Sequence, residues 1–401
     1  METLPEETDH PRRLLPVAKA GGAPDRIAAV QSVQGMSAGL RPVLSLIARA
    51  PLLLAEHDEA VPQDWREALA RLASWLELDV SHVAARSTRA IHQVAAWAAP
   101  GRTAPPAPMF LPWQNLSPVA FQAGGAAGLP RADWVASYLH DQGTGKPIKA
   151  SALDVMLMSP HPSACAINDE CDAPLPRAET MQAMLQAAHA EARKRIGIIV
   201  DARRRNALIR QMLVAGRAAP REQQEIEILP IEDALCHLVR HAGRWDAIIV
   251  MPELRSLVFA MLAETTGIWS PWPMLWHRRG LAMITGEVLD EADSSLPLNA
   301  PLLVQALALA VQNAGLGHAA KRLMQGAARL WDVGIITPGR GSVAPYVTEV
   351  TDDEFIHQLC KGGERRSRAA STWRAIPAAT PTPSSNNTRP ALRLVAAPGE
   401  E

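Results

Sequence analysis

Short apolar runs alternate with amphipathic stretches through the middle of this 401-residue chain, and this alternation restricts the fold more than any other feature. ALDVMLM (152–158), IGIIV (196–200) and DAIIV (246–250) have the length of strands and are almost entirely apolar. Such strands are typical of sheets that helices cover on both faces. The stretches 179–194 and 231–240 carry apolar residues at helical spacing. The pattern therefore predicts an α/β fold with buried, mostly parallel sheets.

Outside this region, local signals predict further elements. The stretch 63–77 places four large apolar residues on one helical face: Trp65, Leu69, Leu72 and Leu76. Thr351 followed by Glu354 is a capping-box pattern, which predicts the start of a last helix that ends near Cys360. RIAAVQ (26–31) predicts a strand, whereas the proline-rich stretch 100–117 predicts a loop or an extended connection.

Composition excludes several classes of protein. The net charge is −1, which argues against a dedicated binder of polyanions. Four cysteines in so long a chain predict no disulfide framework. We find neither a signal-peptide core nor an apolar run of the roughly 18 residues that would span a membrane. The sequence therefore predicts a cytoplasmic protein without membrane segments.

A succession of segments near the C-terminal half carries a family resemblance. WDAIIVMPELRSLVFAMLAETTGIW (245–269) is followed by GLAMITG (280–286), LNAPLLVQALALAVQNAGLG (298–317) and GIITPGRGS (334–342). This order resembles the β-decarboxylating dehydrogenases, the family of isocitrate and isopropylmalate dehydrogenases. IAAVQSVQGMSAG (27–39) resembles the opening strand and turn of the family, with Gly35 as a turn glycine.

The resemblance implies a two-domain fold in which one domain is inserted into the other. The first, cofactor-type domain would be discontinuous and the second would be of the substrate and dimerisation type. The implied division is an N-terminal arm 1–25, a first domain 26–125 and 269–360, an inserted domain 126–268, and a disordered basic tail 361–401.

The chemistry of this family needs carboxylates for a divalent cation, arginines for the substrate carboxylates, and a lysine and a tyrosine that move protons. By resemblance, the two metal-binding aspartates fall on Leu257 and Met261. The arginine-bearing helix resembles VASYLHDQGTGKP (135–147), which puts Ala136 and Lys146 at the arginine positions. The nucleotide-binding loop falls across 287–301, where its histidine and glycines are replaced.

The remaining family positions are also changed. The third arginine and the tyrosine fall near Ser159 and Cys165, and the lysine falls on Asp201. The resemblance therefore implies no catalytic, metal or cofactor residue. It implies a cleft lined by five residues: Lys146, Ser159, Asp201, Glu253 and Arg255.

Three functions follow as hypotheses. The favoured one is a catalytically inactive homologue that acts as a binding or regulatory subunit, with no cofactor, as a homodimer or as a heteromer with a paralogous dehydrogenase. The second is an NAD(P)-dependent oxidoreductase that uses Mg²⁺ and acts on a 2-hydroxy acid. The third is a binding module for a small carboxylate or a nucleic acid that reuses the cleft.

Three other features have both a functional and an ordinary interpretation. His161, Cys165 and Cys171 share a loop that would be a zinc site or, as we favour, an ordinary cleft loop. Residues 177–221 hold ten Arg or Lys against three acids, which would bind nucleic acid or, as we favour, form a solvated face. Three tryptophans would contact a partner or ligand, or pack in the core: Trp269, Trp272 and Trp276.

Overall fold

The computed structural model describes part of the chain, all of it within one unit, Arg49–Glu401. The described residues are 52–56, 63–78, 80–84, 108–116, 132–140, 153–216, 223–266, 271–278, 281–288, 298–338, 347–362 and 391–394. The expected strand 26–31, Gly35, Lys146 and Trp269 lie outside these residues.

Fifteen strands and eight α-helices form the described part of the chain. The strands are β1 (Leu52–Glu56), β2 (Val80–Ala84), β3 (Met109–Leu116), β4 (Trp134–His140), β5 (Asp154–Pro160), β6 (Cys165–Asn168), β7 (Ala173–Pro176), β8 (Arg195–Val200), β9 (Gln223–Pro230), β10 (Ala247–Val250), β11 (Trp272–Arg278), β12 (Leu281–Glu287), β13 (Ile335–Ile336), β14 (Thr348–Glu349) and β15 (Ala391–Leu394). The helices are α1 (Gln63–Trp75), α2 (Ala178–Ala190), α3 (Ala202–Gly216), α4 (Ile231–Arg240), α5 (Arg255–Thr266), α6 (Ala300–Asn313), α7 (Gly317–Asp332) and α8 (Asp352–Lys361).

One large mixed sheet organises these elements. Its eleven strands lie in the order β15-β9-β8-β10-β5-β4-β11-β12-β3-β1-β2. Neighbours are parallel at both ends of the sheet, but β4 is antiparallel to β5 and to β11, and β11 is antiparallel to β12. The two parallel groups therefore run in opposite directions, and their carboxyl ends lie at opposite edges. The α/β class predicted from the apolar alternation is confirmed.

Helix α6 forms the centre of the core on one side of the sheet. Residues Ala300 to Gln312 are all buried, since the helix packs on β11, β12 and β3 and is covered by α7 and α8. Its buried residues are apolar except for Gln305 and Gln312, as expected for a helix buried on every side. The Asn299 side chain accepts a hydrogen bond from the Leu302 amide (3.0 Å) and caps its first turn.

The proline-rich stretch differs from the sequence expectation, because strand β3 lies within it. Met109 and Phe110 pair with Met283 and Ile284 of β12, and the register then shifts before Asn115 pairs with Gly286. Residues 111–114 thus form an irregular bulge that contains Pro112. A proline has no N–H to donate to a ladder, so bulges and edges are where strands tolerate it.

Two further elements differ from expectation. Residues 134–140, expected by resemblance to start a helix, form β4, which is buried throughout between two other strands. Residues 391–394, within the tail expected to be disordered, form a strand that pairs with β9 in parallel. No helix within the described residues is long and apolar enough to cross a membrane.

Candidate functional site

The carboxyl ends of β5, β8 and β10 meet at one edge of the sheet, where open α/β sheets usually bind their ligands. The segments that follow these strands bring five side chains to this edge, and we call them the carboxyl-edge cluster. They are His161, Cys165, Asp201, Arg204 and Glu253. Asp201 and Glu253, two residues expected to line a cleft, thus lie at the same edge.

Arg204 is the centre of this cluster. Its Nε lies 2.9 Å from Asp201 Oδ2, and its NH1 contacts the carboxylate of Glu253. The Asp201 carboxylate also accepts a hydrogen bond from the Arg204 amide (3.0 Å), so it caps the start of α3. Arg204 is buried between two carboxylates and does not offer a free guanidinium fork for a substrate carboxylate.

His161 and Cys165 form the other side of the cluster. The His161 amide donates to the Asp133 carbonyl (3.0 Å), and its Nδ1 is 2.8 Å from Ser163 Oγ, which fixes the ring. Burial raises the pKa of the Cys165 thiol to about 11, although the charges of Arg204 and Arg177 oppose that rise. The thiol therefore stays protonated near neutral pH and is a poor nucleophile.

Two of the residues expected to line a cleft point elsewhere. Ser159 is fully buried in β5, and its Oγ donates to the neighbouring Pro160 carbonyl (3.4 Å). Arg255, the first residue of α5, is also fully buried. Both side chains are enclosed by the core, because β5 is a central strand of the sheet and α5 packs on that sheet.

Arg255 forms an ion pair with Glu287 inside the core. Its Nε and NH2 donate to the two oxygens of the Glu287 carboxylate (2.9 and 2.8 Å), a bidentate pair in which both side chains have 0% exposure. The same NH2 donates to Ser137 Oγ (2.8 Å), and NH1 donates to the Leu157 carbonyl (3.3 Å). This network joins α5 to β4, β5 and β12 and satisfies a charge pair that would otherwise be costly to bury.

The outward face of α5 carries no metal ligand at the two positions that the resemblance assigns to aspartates. Leu257 is 45% exposed, and Met261, four residues further along the same side of the helix, is half-buried and packs partly against the core. Neither side chain supplies the oxygen that Mg²⁺ requires, so these residues do not fit the metal of the family. In the described part of the chain, no group of three or more His, Cys, Asp or Glu side chains is arranged to hold a metal ion.

Two of the three tryptophans pack in the core. Trp272 and Trp276 of β11 are 1% and 2% exposed. Trp276 donates through Nε1 to Thr285 Oγ1 (2.9 Å) on β12, and Trp272 lies edge-on to His140 (centroids 5.7 Å apart). For these two, the packing interpretation is the one the structure favours.

A second polar cluster lies at the opposite edge, where β4 ends and β5, β8 and β10 begin; we call it the amino-edge cluster. It consists of Tyr138, His140, Asp154, Glu191 and Arg193. Arg193 NH1 donates to the Asp154 carboxylate (2.7 Å) and to the carbonyls of Asp154 (3.0 Å) and Asp246 (3.2 Å). The Tyr138 hydroxyl donates to Glu191 Oε1 (2.6 Å).

Burial governs the pKa values in the amino-edge cluster. It raises the pKa of Tyr138 and of Glu191, and it lowers the pKa of His140 to about 4. For Arg193, burial works against the charge, but Asp154 and Glu191 outweigh it and raise the pKa. Sequence reasoning missed this cluster; the one available signal was a charged residue at or just before the start of β5, β8 and β10, as at Asp154, Arg193 and Asp246.

Many basic residues of 177–221 have acidic or carbonyl partners. Arg210 pairs with Glu170 (3.0 Å), Arg195 pairs with Asp246 (3.0 Å), and Arg205 donates to the Ile228 carbonyl (3.2 Å). Arg193 and Arg204 are also paired with carboxylates, so about half of the basic residues counted in this stretch are engaged within the protein. Arg217 and Arg221 lie outside the described residues.

Comparison with known proteins identifies the fold and nothing finer. No family model matches this chain, and no curated protein is similar to it in sequence. Among solved structures, it is similar to the TT0538 protein from Thermus thermophilus, with a TM-score of 0.55 and 11% sequence identity. The similarity covers 82% of this chain and 72% of that chain. At this level of identity the likeness shows the fold alone.

Proposed function

We propose that this chain is a diverged protein of the isocitrate/isopropylmalate dehydrogenase architecture that acts as a binding or regulatory subunit without dehydrogenase activity. The observation that carries the proposal is the absence of an oxygen ligand at Leu257 and Met261 of α5, the two positions that the resemblance assigns to the metal-binding aspartates. A cation held there would stabilise the enolate that forms on loss of CO₂. Apolar side chains cannot hold it, so we derive no reaction step through a metal.

The order of strands in the large sheet supports the architecture. Strands β4, β5, β8, β9 and β10, which come from the proposed inserted domain 126–268, are contiguous in the sheet. Strands β1, β2, β3, β11 and β12, from the proposed first domain, are contiguous as well. The proposed boundary between the two domains falls between β4 and β11, which are antiparallel neighbours at the centre of the sheet. In the proposed division the chain enters the inserted domain before β4 and returns to the first domain before β11.

The carboxyl-edge cluster supports the loss of activity. Asp201, which the resemblance assigns to the position of the family's lysine, caps a helix, and the buried Arg204 beside it is already paired with Asp201 and Glu253. A working site would need an unpaired guanidinium for a substrate carboxylate and a group that moves the hydroxyl proton. The expected partner is a second copy of this chain or a paralogous dehydrogenase.

A thermal-shift titration with NAD(H), NADP(H), Mg²⁺ and a panel of 2-hydroxy acids tests the proposal. A ligand at 100 times its Kd stabilises the folded state by about 2.7 kcal/mol, which moves the melting temperature measurably. We expect no shift with any combination of cofactor and metal, and no formation of NAD(P)H. A cofactor-dependent shift together with turnover would contradict the proposal in favour of an oxidoreductase.

A gain-of-binding variant tests the assignment of α5 separately. Leu257→Asp/Met261→Asp places two carboxylates one helical turn apart on the outward face. If α5 is the metal helix of the ancestral site, Mn²⁺ or Mg²⁺ should stabilise this variant and leave the Leu257→Asn/Met261→Asn control unchanged.

A separate measurement tests the partner. Light scattering of the protein alone, and of the protein mixed with an active dehydrogenase of the family, would show which partner the chain binds.

A further inference from the structure

The outer edge of β9 is covered by the chain's own C-terminal segment. Strand β15 pairs with β9 in parallel over four positions, from Ala391 opposite Gln223 to Leu394 opposite Ile226. Helix α3 packs against both strands. Residues 363–390 join β15 to α8, so the chain reaches this edge from the end of a helix that belongs to another part of the unit.

Alternate residues of β9 face this outer edge. The Glu225 amide donates to the Lys194 carbonyl (2.8 Å), so Glu225 faces β8 on the inner side. In a strand, the N–H and C=O of one residue point the same way and those of the next point the opposite way. Gln224, Ile226 and Ile228 therefore present their backbone groups outward. A row of this kind is a template on which another extended chain can pair.

Two parts of the chain cover described groups of that row. Gln224 and Ile226 lie opposite Leu392 and Leu394, so the backbone of Arg393, between them, faces β9. Further along, Arg205 Nε donates to the Ile228 carbonyl (3.2 Å), and Pro230 has no N–H to leave open. The protection is thus divided between a side chain that belongs to α3 and a short strand that belongs to the C-terminal segment.

We propose that the outer edge of β9 is a binding site for an extended peptide, and that Ala391–Leu394 of the same chain is its resident occupant. The site takes a strand through main-chain hydrogen bonds, the mode known as β-augmentation. The occupant is detachable, because it is a short parallel strand at an edge, and each hydrogen bond contributes only about 1 kcal/mol net. Its release would open the edge at Gln224 and Ile226 while Arg205 keeps Ile228 covered.

Hydrogen exchange at single residues tests the occupancy in the full chain. We expect the amides of Gln224 and Ile226 to be protected in the wild type and to exchange faster in Arg393→Pro, which lacks the N–H that faces β9. The amides of Glu225 and Glu227, which face β8, should not change, and neither should any of the four in the control Ala379→Pro. Equal exchange at Gln224 and Ile226 in the wild type and Arg393→Pro would overturn the proposal.

A labelled peptide of residues 389–398 tests the binding site itself, by fluorescence anisotropy. We expect saturable binding to Arg393→Pro and binding to the wild type that is weaker by tenfold or more. The reason is that the tethered segment competes at an effective concentration of about millimolar. A peptide that carries the Arg393→Pro change should not bind. Equal binding to wild type and variant, or none to a variant with a native circular dichroism spectrum, would overturn the proposal.

A second variant and a mass measurement complete the test. Leu392→Gly/Leu394→Gly keeps every N–H but lowers the strand propensity, so it should also gain peptide binding if Arg393→Pro fails to fold. Light scattering distinguishes closure within one chain from exchange between two copies. A wild-type dimer that is lost in Arg393→Pro would contradict closure within one chain, whereas an unchanged mass supports it.

Discussion

At the scale of single residues, Gly197 of β8 leaves room for the indole of Trp245. A Cβ at Gly197 would lie 2.9 Å from two ring carbons of Trp245, closer than two carbon atoms can approach. The ring cannot move easily, because its Nε1 donates to Glu227 (3.1 Å) and His237 lies edge-on against it (centroids 5.9 Å apart). A glycine in the middle of a strand, normally unfavourable, is explained here by close approach.

Gly197→Ala should therefore destabilise the protein by about 1–3 kcal/mol through overpacking. Urea denaturation monitored by circular dichroism measures this loss. In the Trp245→Leu background the same substitution should cost much less, because the side chain it would strike is smaller. Additive losses in the two backgrounds would show that the indole is not the obstacle.

For the buried pair of Arg255 and Glu287, we predict that removing both charges destabilises the protein less than removing Arg255 alone. Arg255→Met leaves the Glu287 carboxylate without its bidentate partner in the core and should cost about 3–5 kcal/mol. Arg255→Met/Glu287→Leu removes both charges and should be more stable than the single variant. Arg210→Met, at the exposed pair with Glu170, should cost less than about 1 kcal/mol. A double variant less stable than Arg255→Met would contradict this account.

At the scale of elements, Thr351 shows how a local signal starts a helix. Its hydroxyl accepts a hydrogen bond from the Glu354 amide (3.3 Å), and the next residue, Asp352, accepts one from the Ala300 amide (2.7 Å) at the start of α6. Two helix starts are thus fixed by adjacent side chains. The sequence predicts the Thr351 cap, whereas the contact between Asp352 and Ala300 joins residues 52 positions apart and has no local signal.

Thr351→Ala should lower the free energy of unfolding by about 1 kcal/mol, the usual contribution of a helix cap. Thr351→Ser keeps the hydroxyl and should recover most of the loss. The comparison is made by urea denaturation of the two variants beside the wild type. Equal losses in both would show that the methyl group, and not the cap, is responsible.

Patterns within a few residues predicted helices and strands well. Contacts between residues far apart in the sequence could not be predicted from it. The helix expected at 231–240 has the observed bounds of α4, because its apolar spacing is local. Strand β3 was missed because Pro112 argues against a strand unless the bulge opposite β12 is known. The Arg255 contacts were missed because Glu287 and Ser137 lie 32 and 118 positions away in the sequence. Asp201 and Glu253 were placed at the cleft by resemblance, but Arg204, which joins them, carries no sequence signal beyond its charge.

At the scale of the whole molecule, the sheet separates its polar groups into two edges with different chemistry. The carboxyl-edge cluster holds Arg204 between two carboxylates, whereas the amino-edge cluster buries groups that titrate. In the amino-edge cluster, His140 lies between Trp272 and Trp331, with centroids 5.7 and 6.1 Å away, and burial lowers its pKa from 6.5 to about 4. Arg193 acts in the same direction, while Asp154 opposes it.

This depressed pKa makes the global stability depend on pH with a defined sign. Between pH 6.5 and about 4, His140 is protonated in the unfolded state but neutral in the folded state. The free energy of unfolding therefore falls as the pH falls through this window. The lowered pKa of His277 acts with the same sign. Glu191 has the opposite effect on stability, because burial raises its pKa in the folded state. Its contribution to the free energy of unfolding is therefore lost as the pH rises.

Substituting His140 alone isolates its contribution to the pH dependence of stability. The wild type should lose about 3 kcal/mol more than His140→Gln when the pH is lowered across the window, which is the linkage value for a shift of this size. Urea denaturation at a series of pH values measures both curves, and His318→Gln, on the exposed side of α7, is the control that should run parallel to the wild type. Parallel curves for the wild type and His140→Gln would mean that His140 is not held neutral by the core.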